Sequence, residues 1–382
     1  MQIYKVKIYP ITLPFLDEFS HSVRTRSSAK NIVVEVIADH GEIKGYGEGA
    51  PRSYVTGETQ KSVTISINKI IEMDSFPRNL NDISQIWDFV DHLPKDKEQN
   101  AAICALEMAL LDLLGNLENK SIIEYFPHDF LNNGICYGVA LPLVAEKRIL
   151  VMARLIKDMG ISKLKLKMGK DFNKNKEIVE AIHQVFGNGC DLKIDVNGVW
   201  NRELAMKHIS LIAEHHIRIV EQPMMPGDHE VAEFAEKMQE DQVKIMADES
   251  ACSFEDVENV VRNGHYNMIN VRLSKCGGFR KSFRIIHYLR ERGIPFQIAC
   301  QLGESGLLSA AGRILSLLCR DALYHDGSYD EFLLKENVTV DNVSFGYGGS
   351  AGPLGGKGLG VQVDTNKLRR LSGGKISEII VH

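Results

Sequence analysis

The chain has little of what marks several common protein classes. Seven of its 382 residues are cysteines, at 104, 136, 190, 252, 276, 300 and 319, scattered through apolar runs with no C-x-x-C pair. That excludes a disulfide scaffold and the usual zinc-ribbon spacing, and it implies reduced thiols in a cytoplasmic protein. No apolar run reaches the roughly 20 residues of a membrane span. The opening MQIYKVKIYPITLPF alternates like a strand, without the apolar stretch of a secretory leader. Basic charge is not in excess: the net charge is −5 and the pI about 6.2, so neither nucleic acid nor an anionic membrane is an expected partner. No low-complexity linker divides the chain. The glycine-rich GYGGSAGPLGGKGLG is not a phosphate loop, because Gly356 and Lys357 are followed by glycine rather than Ser or Thr.

What is present reads as two domains of an ordinary globular protein, with 44% hydrophobic and 25% charged residues. Residues 1–60 alternate as strands, with a turn at Asp39–Gly41, and 61–127 turn helical. The segment AAICALEMALLDLL, 101–114, is apolar nearly all round and predicts a buried helix. Residues 1–130 therefore predict an α+β domain. From 135 to 335, eight short apolar runs alternate with amphipathic stretches: CYGVA, KLKLK, LKIDV, IRIVE, VKIMA, NMINV, PFQIA and ALYHD. That alternation predicts an α/β barrel or a doubly wound sheet, and the even spacing with polar run ends favours the barrel. Residues 340–382 end in a strand-like IIV that predicts a return to the first domain.

The chemistry lies at the run ends. Lys167, Asp195, Glu221, Asp248 and Lys275 follow one another at gaps of 28, 26, 27 and 27 residues, about one strand–helix unit each. Strand ends converge on one face of such a barrel, so three carboxylates and two amines meet there. Oxygen donors without histidine or cysteine point to Mg²⁺, with Mn²⁺ as the alternative. Asn197 and Glu249, beside Asp195 and Asp248, are placed to support ligands or hold water. Lys163, Lys165 and Lys167 alternate with leucines, so on a strand they share one face and point into the barrel. The Cys276-Gly277-Gly278 turn after Lys275 would let backbone approach a ligand. A cation nearby would lower a lysine's pKa and free it to act as a base. The whole suits removal of a proton α to a carboxylate, a reaction that needs positive charge where the enediolate forms.

KLKLKMG, DVNGVW, IVEQP, ADES and VRLSKCGG, in this order and spacing, resemble the enolase superfamily and, within it, the muconate-lactonizing subgroup. The resemblance implies a capping α+β domain on a modified (β/α)₇β barrel. It implies Mg²⁺ on Asp195, Glu221 and Asp248, Lys167 and Lys275 as the acid–base pair, and Lys165 beside the substrate carboxylate. Glu304, in QLGES at the seventh strand end, has a glutamate counterpart in the subgroup. Substrate-selecting loops would lie near 19–26 and 52–58, where Arg24, Arg26, Arg52 and Tyr54 would face the substrate. Dipeptide epimerases in the subgroup carry a D-x-D on strand eight that binds the substrate ammonium; here Asp326 fills one position and Ser328 the other. Arg272 stands where many of them have lysine. The implied activity is racemisation or epimerisation of a dipeptide or an N-acylated amino acid, by a homo-oligomer acting on a small carboxylate. A muconate-type cycloisomerase and a syn-dehydratase like o-succinylbenzoate synthase use the same groups. A Schiff-base aldolase would not need the carboxylates, and a non-catalytic binding protein would not need the lysines.

Overall fold

The computed structural model describes residues 1–20 and 25–381. The alternation of the first 49 residues produces an antiparallel sheet of β1 (Ile3–Ser20), β2 (Thr25–Ala38) and β3 (Ile43–Gly49). Val6 lies opposite Val36 and Leu13 opposite Ala29, so one face is apolar and buried. The last strand, Ser377–Ile380, pairs with the outer edge of β1, Lys5 opposite Ile380. The C-terminal segment thus completes the capping domain.

Three helices cover this sheet: α1 (Gln60–Glu72), α2 (Ile83–Asp91) and α3 (Asn100–Glu118). The first two begin at capping boxes on Thr59 and Asp82. How α3 packs explains the glycines of β3. A Cβ on Gly45, Gly47 or Gly49 would fall 2.2, 2.1 or 2.2 Å from the carbonyl oxygens of Ala109, Ala105 and Ala101 respectively. Alternate residues of a strand and every fourth residue of a helix advance about the same 6 Å, so the two small-residue rows stay in step. By length and composition α3 could cross a membrane, with a mean hydropathy of 1.4, which the reading of apolar runs alone did not anticipate. Its apolar surface is instead satisfied within the protein, 89% of that stretch being buried.

The eight predicted runs are the strands of a closed parallel barrel. In order they are β4 (Ile135–Leu141), β5 (Lys163–Lys167), β6 (Asp191–Asp195), β7 (Ile219–Glu221), β8 (Lys244–Ala247), β9 (Met268–Arg272), β10 (Phe296–Ala299) and β11 (Tyr324–Asp326). Each pairs with the next, and β11 pairs with β4 to close the ring. Leu164 and Leu166 are fully buried on the outer face of β5, while Lys165 is buried with its amine inside. Ile219, Met246, Met268 and Tyr324 form an apolar cluster in the barrel interior.

The capping domain grips the barrel through carboxylates at helix heads. Glu48 accepts the N–H groups of Ser305 and Leu308 (3.1 and 3.0 Å) at the start of the helix Gly306–Leu317. Glu107 of α3 accepts those of Phe279 and Arg280 (2.5 and 2.8 Å) at the start of the helix Phe279–Glu291. A buried carboxyl at a helix N-terminus satisfies donors that have no partner within the helix. This corrects the reading of Gly277 and Gly278 as ligand-approach residues. A Cβ on Gly278 would lie 1.9 Å from Glu107 Oε2, and one on Gly277 2.6 Å from Asn100 Oδ1. The two glycines make room for α3, not for a ligand.

Candidate active site

Asp195 and Glu221 end neighbouring strands and stand opposite each other in register, as do Lys167 and Asp195. Asp248 follows β8 directly. All three carboxylates are fully buried. Lys275 departs from the reading that put it on a strand: β9 stops at Arg272, and Lys275 belongs to a single helical turn, Leu273–Cys276. β5 and β9 are the second and sixth of eight strands, so Lys167 and Lys275 reach the carboxylates from opposite sides of the ring.

The groups form one connected network. Lys167 Nζ donates to Asp195 Oδ2 at 2.6 Å and to Asn197 Oδ1 at 2.9 Å. Lys165 Nζ lies 3.1 Å from both Glu221 Oε2 and Asp326 Oδ2, and 3.9 Å from Asp195 Oδ2. Lys275 Nζ donates to Asp248 Oδ1 at 3.0 Å, to its carbonyl at 2.9 Å and to the carbonyl of Asn270 at 2.5 Å. Arg272 Nη2 bridges Asp248 Oδ2 and Glu221 Oε1, the latter at 3.2 Å. Asn197 Nδ2 donates to Glu249 Oε1 at 3.1 Å, which links the third and fifth strand ends.

Burial and mutual repulsion set the charges. The Glu221 carboxyl is pushed up by burial and by Asp195 and Asp248, against the pull of Lys165 and Arg272. Burial alone would raise Asp248 too, but Arg272 and Lys275 hold it down at about 2. Burial, Asp248 and Asp195 push Glu249 up to about 8, and its Oε2 has no hydrogen-bond partner. Burial disfavours the Lys275 ammonium, yet Asp248 more than compensates and the amine is raised. Among the described residues no three acidic, histidine or cysteine side chains converge on one point; Lys165 and Arg272 lie between the carboxylates as their ion-pair partners.

Sequence reasoning passed over Gln222, which positions Asp248. It is fully buried, adopts φ +40°, and its Oε1 accepts the N–H groups of Asp248 and Ser250 at 3.0 and 3.1 Å. The neighbouring turn uses Asn197 at φ +50°. Such conformations at two adjacent strand ends are unusual for residues other than glycine. The one available signal was the proline after Gln222, which ends the strand.

A cavity of about 450 Å³ opens beside this network. Lys165, Lys167, Asn197, Arg272, Asp326 and Tyr54 line it. Tyr54 also lies under the Arg26 guanidinium, 5.0 Å from its ring centre. Arg24 lies outside the described residues. Arg52 does not line the cavity: its guanidinium donates to the carbonyls of Pro51, Lys30 and Leu302 and to Asn31 Oδ1. Glu304 does not line the cavity either. It accepts the Gln301 N–H at 2.6 Å, and burial pushes its carboxyl up to about 8. Asp326 reaches the cavity with both oxygens engaged by Lys193 (3.2 and 3.1 Å), and Oδ2 also by Lys165.

Residues 149–367 match the model of the enolase C-terminal domain-like family, and residues 5–126 that of the mandelate racemase/muconate lactonizing enzyme N-terminal domain. The chain belongs to the enolase superfamily, in its muconate-lactonizing branch, and is an isomerase. A hydrophobic dipeptide epimerase of Enterococcus faecalis is 28% identical over 320 residues, 81% of this chain and 86% of that one. The N-succinyl Arg/Lys racemase of Bacillus cereus superposes with a TM-score of 0.88 at 21% identity, over 99% of this chain and 100% of the other. The dipeptide epimerase of Enterococcus faecalis, complexed with Mg and L-Leu-L-Tyr, superposes at 0.83 with 24% identity, over 95% and 100%.

Proposed function

We propose that this protein inverts the carbon α to a carboxylate, in a dipeptide or an N-acylated amino acid, through an enediolate intermediate and with Mg²⁺. The observation that carries this reading is the pair Lys167 and Lys275, each within 3.0 Å of a carboxylate of the cluster and set on opposite sides of the barrel.

The residues fit a hard divalent cation. Asp195, Glu221 and Asp248 offer oxygen donors alone, at three successive strand ends, and Glu221 is pushed up by burial and by the repulsion of Asp195 and Asp248, which a cation would relieve. Asn197 and Glu249 brace this cluster from the rim. When bound, the cation supplies positive charge beside the substrate carboxylate, where negative charge grows as the α-proton leaves.

The chain's own groups do the rest. Lys165 adds a fixed positive charge at the base of the cavity, between Glu221 and Asp326. Lys167 takes the proton from one face of the substrate carbon and Lys275 returns one to the other. In the reverse direction the roles exchange, with one amine neutral while the other is protonated. Positioned proton transfer of this kind contributes about 10²–10⁴-fold. Burial of the carboxylates, Lys165, Arg272 and Lys275 strengthens each electrostatic contact among them. Incubation in D₂O with Mg²⁺ and pooled dipeptides and N-acyl amino acids tests the proposal: deuterium should enter at the α-carbon, and its absence from every pool would refute it.

A further inference from the structure

Resting on that reading of the site, we infer that the substrate's α-nitrogen carries an apolar acyl group rather than an aminoacyl group with a free ammonium. The preferred class is amino acids N-acylated by a short to medium aliphatic chain.

Two independent observations carry this. The first is what happens to the anion an ammonium would need. Asp326 is the buried acid of the cavity wall, and three lysine contacts at 3.1–3.2 Å already occupy it, from Lys193 beneath and Lys165 beside. Lys193 is fully buried and also donates to Gln297 Oε1 at 2.6 Å, so it is fixed in place. Ser328, two residues on, is buried too, and its hydroxyl accepts from Arg313 Nη2 at 3.0 Å. A substrate ammonium would therefore lose its hydration and meet Lys165, Lys167 and Arg272 with no buried acid of the cavity wall left unpaired, an arrangement that opposes binding. The acids left among the described residues of the wall, Asp17 and Glu18, are exposed at the rim, with Asp17 paired to Arg148 at 2.9 Å. Pairs so placed contribute little.

The second observation is the chemistry of the cavity beyond Asp326. Its wall there is built from Val139, Met152, Ile156, Met159, Phe332 and Phe345, on β4, the helix Glu146–Asp158 and the residue that caps it, and the segments after β11. Phe332 is 47% exposed and Leu155, on the same wall, 59%. Apolar side chains left in water around a catalytic cavity gain by being covered, and an aliphatic chain leaving the α-nitrogen would cover them.

The test compares ligands that differ in the inferred feature only. N-propionyl-L-leucine is L-alanyl-L-leucine without its ammonium. Calorimetry with the Mg²⁺-loaded protein should find the propionyl compound binding at least about tenfold tighter. In the series acetyl, butyryl, hexanoyl and octanoyl, each methylene that reaches the apolar wall should tighten binding about three- to fourfold. Lys193→Met, which frees one side of Asp326, should narrow the gap between the two leucine compounds; should it not fold, the wild-type comparison decides. Equal or tighter binding of L-alanyl-L-leucine, a flat chain-length series, or no binding of either compound overturns the inference. The epimerase reading fails separately: tight binding of the acyl compounds without α-deuterium exchange would refute that reading and leave the inferred ligand class standing.

Discussion

Glu107, in the capping domain, holds the backbone N–H groups of Phe279 and Arg280, at the head of the barrel helix that begins just after Lys275. Asn100, two turns earlier on α3, donates at 2.6 Å to the carbonyl of Lys275 itself. The backbone of one proposed proton-transfer lysine is therefore set by a helix outside the barrel.

Glu107→Gln should cost about 1–3 kcal/mol of stability, since its two oxygens accept one N–H group each and the amide would turn its NH₂ group toward one of those donors. It should also lower turnover more than it changes substrate affinity. Denaturant unfolding and a comparison of kcat with KM check both effects.

Stability should fall as pH rises from about 4.5 to 8. Burial pushes the carboxyl of Glu107 up to about 8, against Arg280 and Lys281, and that of Asp112 up to about 7. Both keep their protons in the folded chain at pH values where the unfolded chain has lost them. Their contribution is full below the unfolded pKa and lost through the folded one, at up to about 1.4 kcal/mol per pH unit for each group. Melting temperatures across this range should show the slope, and Glu107→Gln should flatten its upper part.

Gly47→Ala should destabilise the capping domain by about 1–3 kcal/mol or more, because its Cβ would sit 2.1 Å from the Ala105 carbonyl oxygen, a backbone atom that cannot move alone. Gly57→Ala makes a useful contrast, because there the added Cβ would meet nothing within 4 Å and only the positive φ of +82° opposes it. Chemical unfolding of the two variants separates a packing cost from a backbone one.

Asp248→Asn should weaken Mg²⁺ binding by about tenfold or more. It should also destabilise the metal-free protein by about 3–5 kcal/mol, since Arg272 and Lys275 would be left as buried cations short of a partner. Titration calorimetry well below the melting temperature measures the first effect and thermal unfolding the second. Unchanged Mg²⁺ affinity would remove Asp248 from the ligand set.

Much of this was legible because strand period and unit spacing are strong signals. The lysines of KLKLK had to share a face, and Asp195, Glu221 and Asp248 had to meet once each strand led to its neighbour. What the sequence hid depends on long-range packing. The glycines of GYGEG and CGG carry no mark of the helix they accommodate, and Glu107 looked like one polar residue in an apolar run. Arg52 looked like a free cation because its partners are carbonyls, which no composition reveals. Lys193 read as one more strand residue, although it neutralises Asp326 from 133 positions away.

The most direct test is α-proton exchange in D₂O by the Mg²⁺-loaded protein and its Lys167→Ala and Lys275→Ala variants, with N-propionyl-L-leucine and its D-enantiomer as substrates. The wild type should exchange both enantiomers, while each variant keeps its fold and loses exchange by about 10³-fold or more with one, a different one for each lysine. Loss of neither enantiomer, or undiminished racemisation in either variant, would contradict a two-lysine mechanism.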